Sequence, residues 1–224
     1  MAEKQEQSMK TSEPALPQVT FLIKHNKAII YISTALIVIA AAFYIYKKWI
    51  VEPKENKASE AIFKAEQYFR EDSLKLALNG RFGEFAGFKD IIKKYSGTSA
   101  ANNAKLYAGI CYLQLGDFSN AVKQLEDFST NAQQVQALAY AKLADAYSEI
   151  HKKDKAVSLY KKAANHFEKD EYNASEYLFR AAQLLEVMSR DKEAIELYRE
   201  IKTKYPKTEK GFQVDKYLAR LGVL

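Results

Sequence analysis

Cysteine, histidine, glycine and proline are all scarce in this 224-residue sequence. The single cysteine, Cys111, excludes an internal disulfide, and its apolar neighbours indicate a core side chain. The three histidines, His25, His151 and His166, lack the spacing of metal ligands. Eight glycines and four prolines are few, while Ala, Leu, Lys and Glu are abundant, which favours helices over sheet. The composition therefore predicts an all-α fold.

Motifs that carry enzyme chemistry are also missing. The sequence contains no HExxH motif, no GxSxG motif and no cysteine–histidine pairing. Its one glycine-rich piece, GRFGEFAGF at residues 80–88, lacks the Lys-Ser/Thr of a phosphate-binding loop and has no strand before it, so we interpret it as a loop between helices. We therefore expect a protein that is not an enzyme, with no metal site and no cofactor.

Charge of one sign is not concentrated anywhere in the chain. The net charge is +6, but the 34 basic residues are interleaved with 28 acidic ones and form no arginine-rich run. A surface that follows nucleic-acid phosphates normally shows such a run or stripe. The charges are therefore interpreted as solvated helix faces, and no nucleic-acid partner is expected.

One long apolar run lies near the amino terminus. Residues 28–46, AIIYISTALIVIAAAFYIY, hold 19 positions without a charge, and a helix of that length measures about 28 Å, close to the hydrocarbon thickness of a bilayer. Ser33 and Thr34 can return their hydroxyl groups to carbonyls one turn back. The three alanines at 40–42 resemble a signal-peptidase site, but the run continues beyond them. We predict an uncleaved transmembrane helix.

The remaining sequence divides around this span. Residues 1–27 are polar and are predicted to be a flexible tail. Residues 47–57 are charged, contain Pro53 and are predicted to be a linker, and helical periodicity then continues through residues 58–224 as one domain. Lysines flank the span on both sides, which leans slightly against a cytoplasmic amino terminus and leaves the topology open.

The domain at 58–224 repeats itself. A small residue is followed three positions later by a large one, nine positions after that by a second small residue, and four positions later by another large one. This pattern recurs after 35 and then 38 residues, which is a repeat signature. Small residues let two helices approach closely while the large side chains fill the space beside them. The three copies place these landmarks at Gly109, Tyr112, Ala121 and Leu125, at Ala144, Tyr147, Ala156 and Tyr160, and at Ala182, Leu185, Ala194 and Tyr198.

The ends of the domain complete the pattern. A degenerate earlier copy has Ala65 and Tyr68 at the landmark positions and about seven extra residues around 74–80 before its second helix. Residues 210–221 alternate apolar and charged side chains at helical spacing and are predicted to form a closing helix over the last repeat. The sequence thus predicts about four repeats and one capping helix.

These landmarks resemble the tetratricopeptide repeat, whose consensus carries small and aromatic residues at these offsets and ends in a proline, as Pro206 does for the third copy. The resemblance implies an α-solenoid in which the first helix of each repeat lines a concave groove. An apolar groove would suit extended or unfolded segments. Alternatively, Leu106, Ile110 and Leu113 pack against the neighbouring repeat. The candidate groove residues are Ile62, Phe69, Asn103, Leu106, Ile110, Leu113, Leu138 and Phe179.

A lysine-flanked span followed by such repeats resembles the YfgM-type ancillary subunit of the bacterial SecYEG translocon. The resemblance implies a single-pass protein of the bacterial inner membrane with its carboxy-terminal domain in the periplasm. It implies an adaptor or holdase for newly translocated proteins, with the SecYEG translocon, a PpiD-like membrane-anchored foldase, unfolded or nascent secretory proteins and the lipid bilayer as partners. One alternative is an envelope-assembly scaffold that is not associated with the translocon. Another is a reversed topology, which would make a cytoplasmic membrane-bound adaptor.

Overall fold

The computed structural model describes residues 26–223, so nearly all of the predicted tail, residues 1–27, lies outside the described part. The chain divides into two compact units, Met1–Glu52 and Pro53–Leu224. In the first, helix α1 spans Asn26–Tyr46. The Ser33 and Thr34 hydroxyl groups donate to the Ile30 carbonyl at 2.9 and 2.8 Å, as the sequence predicts. Among the described residues, one helix is long and apolar enough to cross a membrane by length and composition.

The predicted linker at 47–57 is helical. Lys47–Val51 forms a π-helical segment in which the Glu52 amide donates to the Lys47 carbonyl, and α2 follows at once. Pro53 explains the widened turn, since proline has no amide hydrogen and its ring clashes with the carbonyl four residues back in an α-helix. The charged composition of this stretch predicts a linker, but one proline near a helix start does not end a helix.

The second unit is a series of helical hairpins with a short β-hairpin inserted in the first of them. Each helix after Arg70 packs on the next helix along the chain, as in an α-solenoid, and the helix Glu52–Arg70 joins the core through Ala58, Ile62 and Ala65. The elements are α2 (Glu52–Arg70), α3 (Leu74–Asn79), β1 (Gly80–Arg81), β2 (Phe85–Ala86), α4 (Phe88–Lys94), α5 (Ser99–Gln114), α6 (Phe118–Glu126), α7 (Gln133–Glu149), α8 (Lys153–His166), α9 (Glu171–Val187), α10 (Asp191–Lys204) and α11 (Glu209–Arg220).

One turn recurs after every first helix. The second residue after α2, α5, α7 or α9 has a positive φ, and the next amide donates to a carbonyl five residues back, which is the Schellman motif. The accepting carbonyls belong to the large landmark residues Tyr68, Tyr112, Tyr147 and Leu185. The same turn, with Gly222 at positive φ, follows α11. The positive-φ residues of the four repeats are Asp72, Gly116, His151 and Ser189.

The small landmark residues bring the two helices of a repeat together, as predicted. Ala144 and Ala182 are fully buried, and so are the second-helix residues Ala156 and Ala194. At Gly109 the approach leaves no room for a side chain, because a Cβ added there would lie 2.5 Å from Leu125 Cγ. Only glycine fits this position without movement of Leu125.

The first repeat contains an insertion that the sequence interpretation described only in part. The extra residues around 74–80 form the short helix α3, and the glycine-rich piece folds as an antiparallel pair in which Gly80 faces Ala86 and Arg81 faces Phe85. Gly80 has φ of 70°, and a Cβ there would lie 2.4 Å from the Gly87 amide nitrogen. The tight approach of the two strands therefore depends on glycine.

The core of the second unit has two apolar clusters. One joins α2–α5 and includes Phe88, Ile91 and Cys111, and the other runs from α5 to α11 around Tyr160, Leu178 and Tyr198. Cys111 is fully buried, and burial raises the pKa of its thiol to about 12. A protonated, inaccessible thiol is a core side chain and not a nucleophile, which confirms the sequence interpretation.

Candidate binding surface

The eight candidate groove residues fall into three classes of exposure. Ile62, Leu106 and Phe179 are buried, with 7% exposure or less. Phe69, Ile110 and Leu113 are partly buried beside the two core clusters. Asn103 and Leu138 are exposed. The part these residues take in binding stays a prediction, but the exposed fraction shows which of them a partner can reach.

The buried candidates occupy equivalent places on successive first helices. Leu106, Ala141 and Phe179 stand at the fifth position of their repeats, and all three are buried. Phe179 shows the reason, because the Tyr217 ring of α11 meets it edge-on at 4.9 Å. The fifth position therefore packs against the next first helix, which is the alternative that the sequence left open for Leu106.

An accessible apolar surface remains on the first helices of the second and third repeats. Ile110 and Leu113 on α5 are half-buried, Leu115 just beyond them is 39% exposed, and Leu138 on α7 is 36% exposed. The two helices pack on one another. Side chains of this kind offer an apolar contact without a charge to select one particular ligand.

Charged side chains replace the apolar ones on the later first helices. Asp145 of α7 accepts from Arg180 of α9 at 3.2 Å, and Arg180 also bonds Glu176 at 2.8 Å. Glu176 is in turn 3.2 Å from Lys210 of α11. Lys210 Nζ also lies 4.6 Å from the centre of the Phe179 ring. These ion pairs join one repeat to the next, so this end of the surface is polar and internally satisfied.

The spacing of charged residues in the sequence indicates this network. The pairs Asp145–Arg180, Glu176–Lys210 and Glu186–Arg220 join residues of adjacent repeats that stand 34 or 35 residues apart, close to the repeat period. Opposite charges separated by one period point at each other when repeats stack. None of these pairs was predicted from the sequence.

Three tyrosines of the repeats bond carboxylates of this network or beside it. Tyr160 donates to Asp145, and Tyr198 donates to Glu186, each at 2.5 Å, and Tyr147 donates to Glu126. Burial raises the pKa of Tyr147 most, and the hydrogen bond to Glu126 and the negative charge of that carboxylate raise it further, to about 12. Burial and the neighbouring carboxylate also raise the pKa values of Tyr160 and Tyr198.

Alkaline pH is therefore expected to weaken the repeat domain. The folded-state pKa values of these tyrosines lie above the value of about 10 in the unfolded chain. Their contribution to the free energy of unfolding is thus complete below that pH and falls as the pH rises towards about 12, the folded-state pKa of Tyr147. Urea unfolding at a series of alkaline pH values measures the loss. Tyr147→Phe should lose less stability over this window, and an identical pH dependence in both proteins would contradict the assignment.

Among residues 26–223, no group of three His, Cys, Asp or Glu side chains could hold a metal ion. The polar groups that converge on the first helices are instead bonded to one another through the ion pairs described above. The arrangement can hold helices in place and present a surface.

Comparison with known proteins identifies the repeats. The tetratricopeptide-repeat family model matches residues 103–132 and 176–208. The crystal structure of MamA matches with a TM-score of 0.54 at 18% identity, covering 71% of this chain and 85% of that one. A putative kinesin light chain of Podosopora anserina with nearly identical TPR-like repeats matches with a TM-score of 0.56 at 15% identity, covering 75% and 85%. No curated protein sequence matches.

Both structural similarities concern the fold alone, and they agree with the helical hairpins and shared turns described above. Folds of this type are typically non-catalytic scaffolds for protein–protein interaction. The chain therefore contains tetratricopeptide repeats, arranged as a helical solenoid after one amino-terminal helix that is able to span a membrane.

Proposed function

We propose that this protein is a membrane-anchored, periplasmic ancillary subunit of the SecYEG translocon. It would act as an adaptor or holdase for newly translocated proteins, together with a PpiD-like foldase. The repeat fold itself implies a protein-interaction module. The observation that carries the proposal is the combination of α1, an apolar helix of spanning length, with a solenoid that presents accessible apolar side chains.

The exposed apolar surface suits the proposed client. Ile110, Leu113 and Leu138 are the accessible members of the predicted groove that carry aliphatic side chains. Extended or unfolded segments offer apolar side chains without a fixed sequence, and an aliphatic surface binds them with little selectivity. The ion pairs of α7, α9 and α11 satisfy their own charges, so they leave client binding to the aliphatic part.

Anchoring makes weak contacts sufficient. A domain tethered to the membrane meets a partner in the same membrane at an effective concentration of roughly millimolar. An interaction too weak to survive dilution in solution would then still be occupied. This supports a role in which the solenoid meets clients briefly as they emerge.

Site-specific photo-crosslinking in intact cells tests the proposal. A photoreactive residue at Leu138 is expected to capture a translocon subunit, a PpiD-like foldase or a translocating chain. Ser158, exposed on α8 of the same repeat, is the matched control and should capture none of them. Equal capture from both positions, or no such product from Leu138, would contradict the proposal. Capture of envelope-assembly proteins alone would favour the scaffold alternative.

Protease accessibility tests the orientation separately. With the repeats in the periplasm, protease added to spheroplasts should digest the domain at residues 53–224 while the membrane stays intact. Protection of that domain until the membrane is dissolved would place it in the cytoplasm and would exclude a role at the periplasmic exit of the translocon.

A further inference from the structure

The helix α1 meets the π-helical segment at the point where the uncharged run ends. Residues 28–46 carry no charge and measure about 28 Å as a helix, close to the thickness of the hydrocarbon layer. Lys47 and Lys48 are the first charged side chains after this run. With α1 across a bilayer, both lysines lie at the level of the lipid headgroups, because a cation avoids the hydrocarbon and extends towards the polar layer. The phosphate groups of phospholipids lie at the same depth.

Four side chains line one groove at this point. Tyr44, Lys47, Lys48 and Glu52 surround a volume of about 300 Å³, and all four belong to the first compact unit. Tyr44, Lys47 and Lys48 share a face of the helix, since they are three and four residues apart. Lys48 Nζ lies 5.9 Å from the centre of the Tyr44 ring. The groove therefore gathers two cations, a carboxylate and an aromatic ring.

The two lysines have no carboxylate partner in the described part of the chain. In an α-helix, Lys48 and Glu52 would stand one turn apart, at the spacing of an ion pair. In Lys47–Val51 the backbone bonds span five residues, so the residues that follow are rotated about the helix axis. Within residues 26–223, none of Lys47, Lys48 and Glu52 forms an ion pair or a side-chain hydrogen bond. The two ammonium groups can therefore bind an external anion.

We propose that the groove formed by Tyr44, Lys47, Lys48 and Glu52 binds the headgroup of an anionic phospholipid. The ammonium groups of the two lysines donate to the phosphodiester oxygens. Two lysines and one glutamate give the groove a net charge of +1, which a headgroup of net charge −1 neutralises. A zwitterionic headgroup leaves that charge in place. The inference rests on the membrane anchor of the proposed function and is independent of the translocon.

The fluorescence of Trp49 can report which lipid occupies the groove. Trp49 follows Lys48 directly, is 74% exposed and is the only tryptophan of the sequence. The full chain is reconstituted in phosphatidylcholine vesicles whose acyl chains are brominated near the headgroup, because bromine quenches tryptophan fluorescence at short range. Unbrominated phosphatidylglycerol then replaces an increasing fraction of the host lipid. Selective binding raises the fluorescence above the value expected from the bulk composition.

Phosphatidylglycerol is expected to bind beside Trp49 about fivefold more tightly than phosphatidylcholine. Each lysine near an anionic headgroup contributes about that factor, and Glu52 offsets one of the two. Lys47→Gln combined with Lys48→Gln should therefore remove the preference. Circular dichroism checks that the helices of this variant are retained.

Lys161→Gln combined with Lys162→Gln is the matched control. These two lysines are also adjacent and exposed, and Lys162 Nζ lies 4.0 Å from the centre of the Tyr140 ring. The control variant should keep the full preference for phosphatidylglycerol. Equal loss in both variants, or an undiminished preference without Lys47 and Lys48, would place the lipid contact elsewhere and overturn the proposal.

A second unbrominated lipid tests the charge of the headgroup. Phosphatidylethanolamine could pair its ammonium group with Glu52, so recovery of fluorescence equal to that with phosphatidylglycerol would overturn the assignment to an anionic lipid. Quenching by the host lipid without any preference would also overturn it, while leaving the membrane anchor intact. No quenching by the brominated host would place Trp49 outside the bilayer, and would contradict the anchor and the proposed function as well.

Discussion

Tyr198→Ala is expected to lower the free energy of unfolding of the repeat domain by about 3–5 kcal/mol, the range for removal of a buried aromatic side chain. The Tyr198 side chain is fully buried in the last repeat. Its ring stacks on Tyr217 at 5.3 Å and lies 5.7 Å from that of Phe179. The substitution leaves a cavity where α9, α10 and α11 meet. Urea unfolding followed by circular dichroism, on the full chain in detergent, measures the loss.

Tyr198→Phe is the matched control. It keeps the ring and removes only the hydroxyl group that donates to Glu186, which should cost about 1.5–3 kcal/mol for a bond to a charged group. Arg220 still bonds Glu186 at 2.6 Å, so the lower end of that range is expected. Equal losses from the two substitutions would show that the hydrogen bond, and not the packing of the ring, holds the last repeat together.

Gly109→Val should cost about 1–3 kcal/mol, the usual range for overpacking a core. The added atoms would overlap Leu125 on the facing helix, whose Cγ and Cδ2 lie 2.5 and 2.8 Å from the position of a Cβ. Valine has a slightly higher helix propensity than glycine, so the loss would reflect the clash and not the backbone. The same unfolding measurement applies.

A double-mutant cycle separates the clash from a general effect of the substitution. Leu125→Ala removes the side chain that Gly109→Val would strike. The doubly substituted protein is therefore expected to be more stable than the sum of the two single losses predicts, by about 1 kcal/mol or more. Additive losses would mean that some other contact of Gly109 is responsible.

The repeat itself could be predicted because its landmarks carry a physical requirement. A small residue is needed wherever two helices approach closely, and Gly109, Ala144 and Ala182 all prove to be buried at such contacts. The turn residues indicate the repeat less clearly, because His151 and Ser189 adopt the positive φ that usually marks glycine. The spacing of the landmarks, and not the turn residues, carried this part of the prediction.

Local composition was a poorer guide at the start of the domain. The stretch at 47–57 resembles a linker because it is charged and contains Pro53, yet it is helical in the structure. The piece at 80–88 contains glycines that suggest a loop, but those glycines allow two short strands to pair. In both cases the outcome depends on contacts made after the chain folds, which a count of residue types does not contain.

The candidate groove was predictable by position but not by exposure. On a first helix, the side facing the next first helix adjoins the side facing the open surface, and helical spacing does not separate the two. Leu106 and Phe179 are covered, whereas Leu138 is accessible, although repeat numbering assigned all three to one surface. Ion pairs between repeats also affect which side chains are exposed, and whether they form depends on how far each charged side chain reaches.

The helix α2 is fastened to the second repeat near its beginning. Lys54 Nζ donates to the Ser96 carbonyl at 2.7 Å, and the Glu55 carboxylate accepts from the Ser99 and Ala100 amides at 2.9 and 3.1 Å, which caps α5. A mechanical load that enters the domain at its amino-terminal edge would thus pass directly into α5. The load would not act on the first hairpin. Stretching the anchored end would have to break these charged contacts before α2 could separate from the rest of the domain.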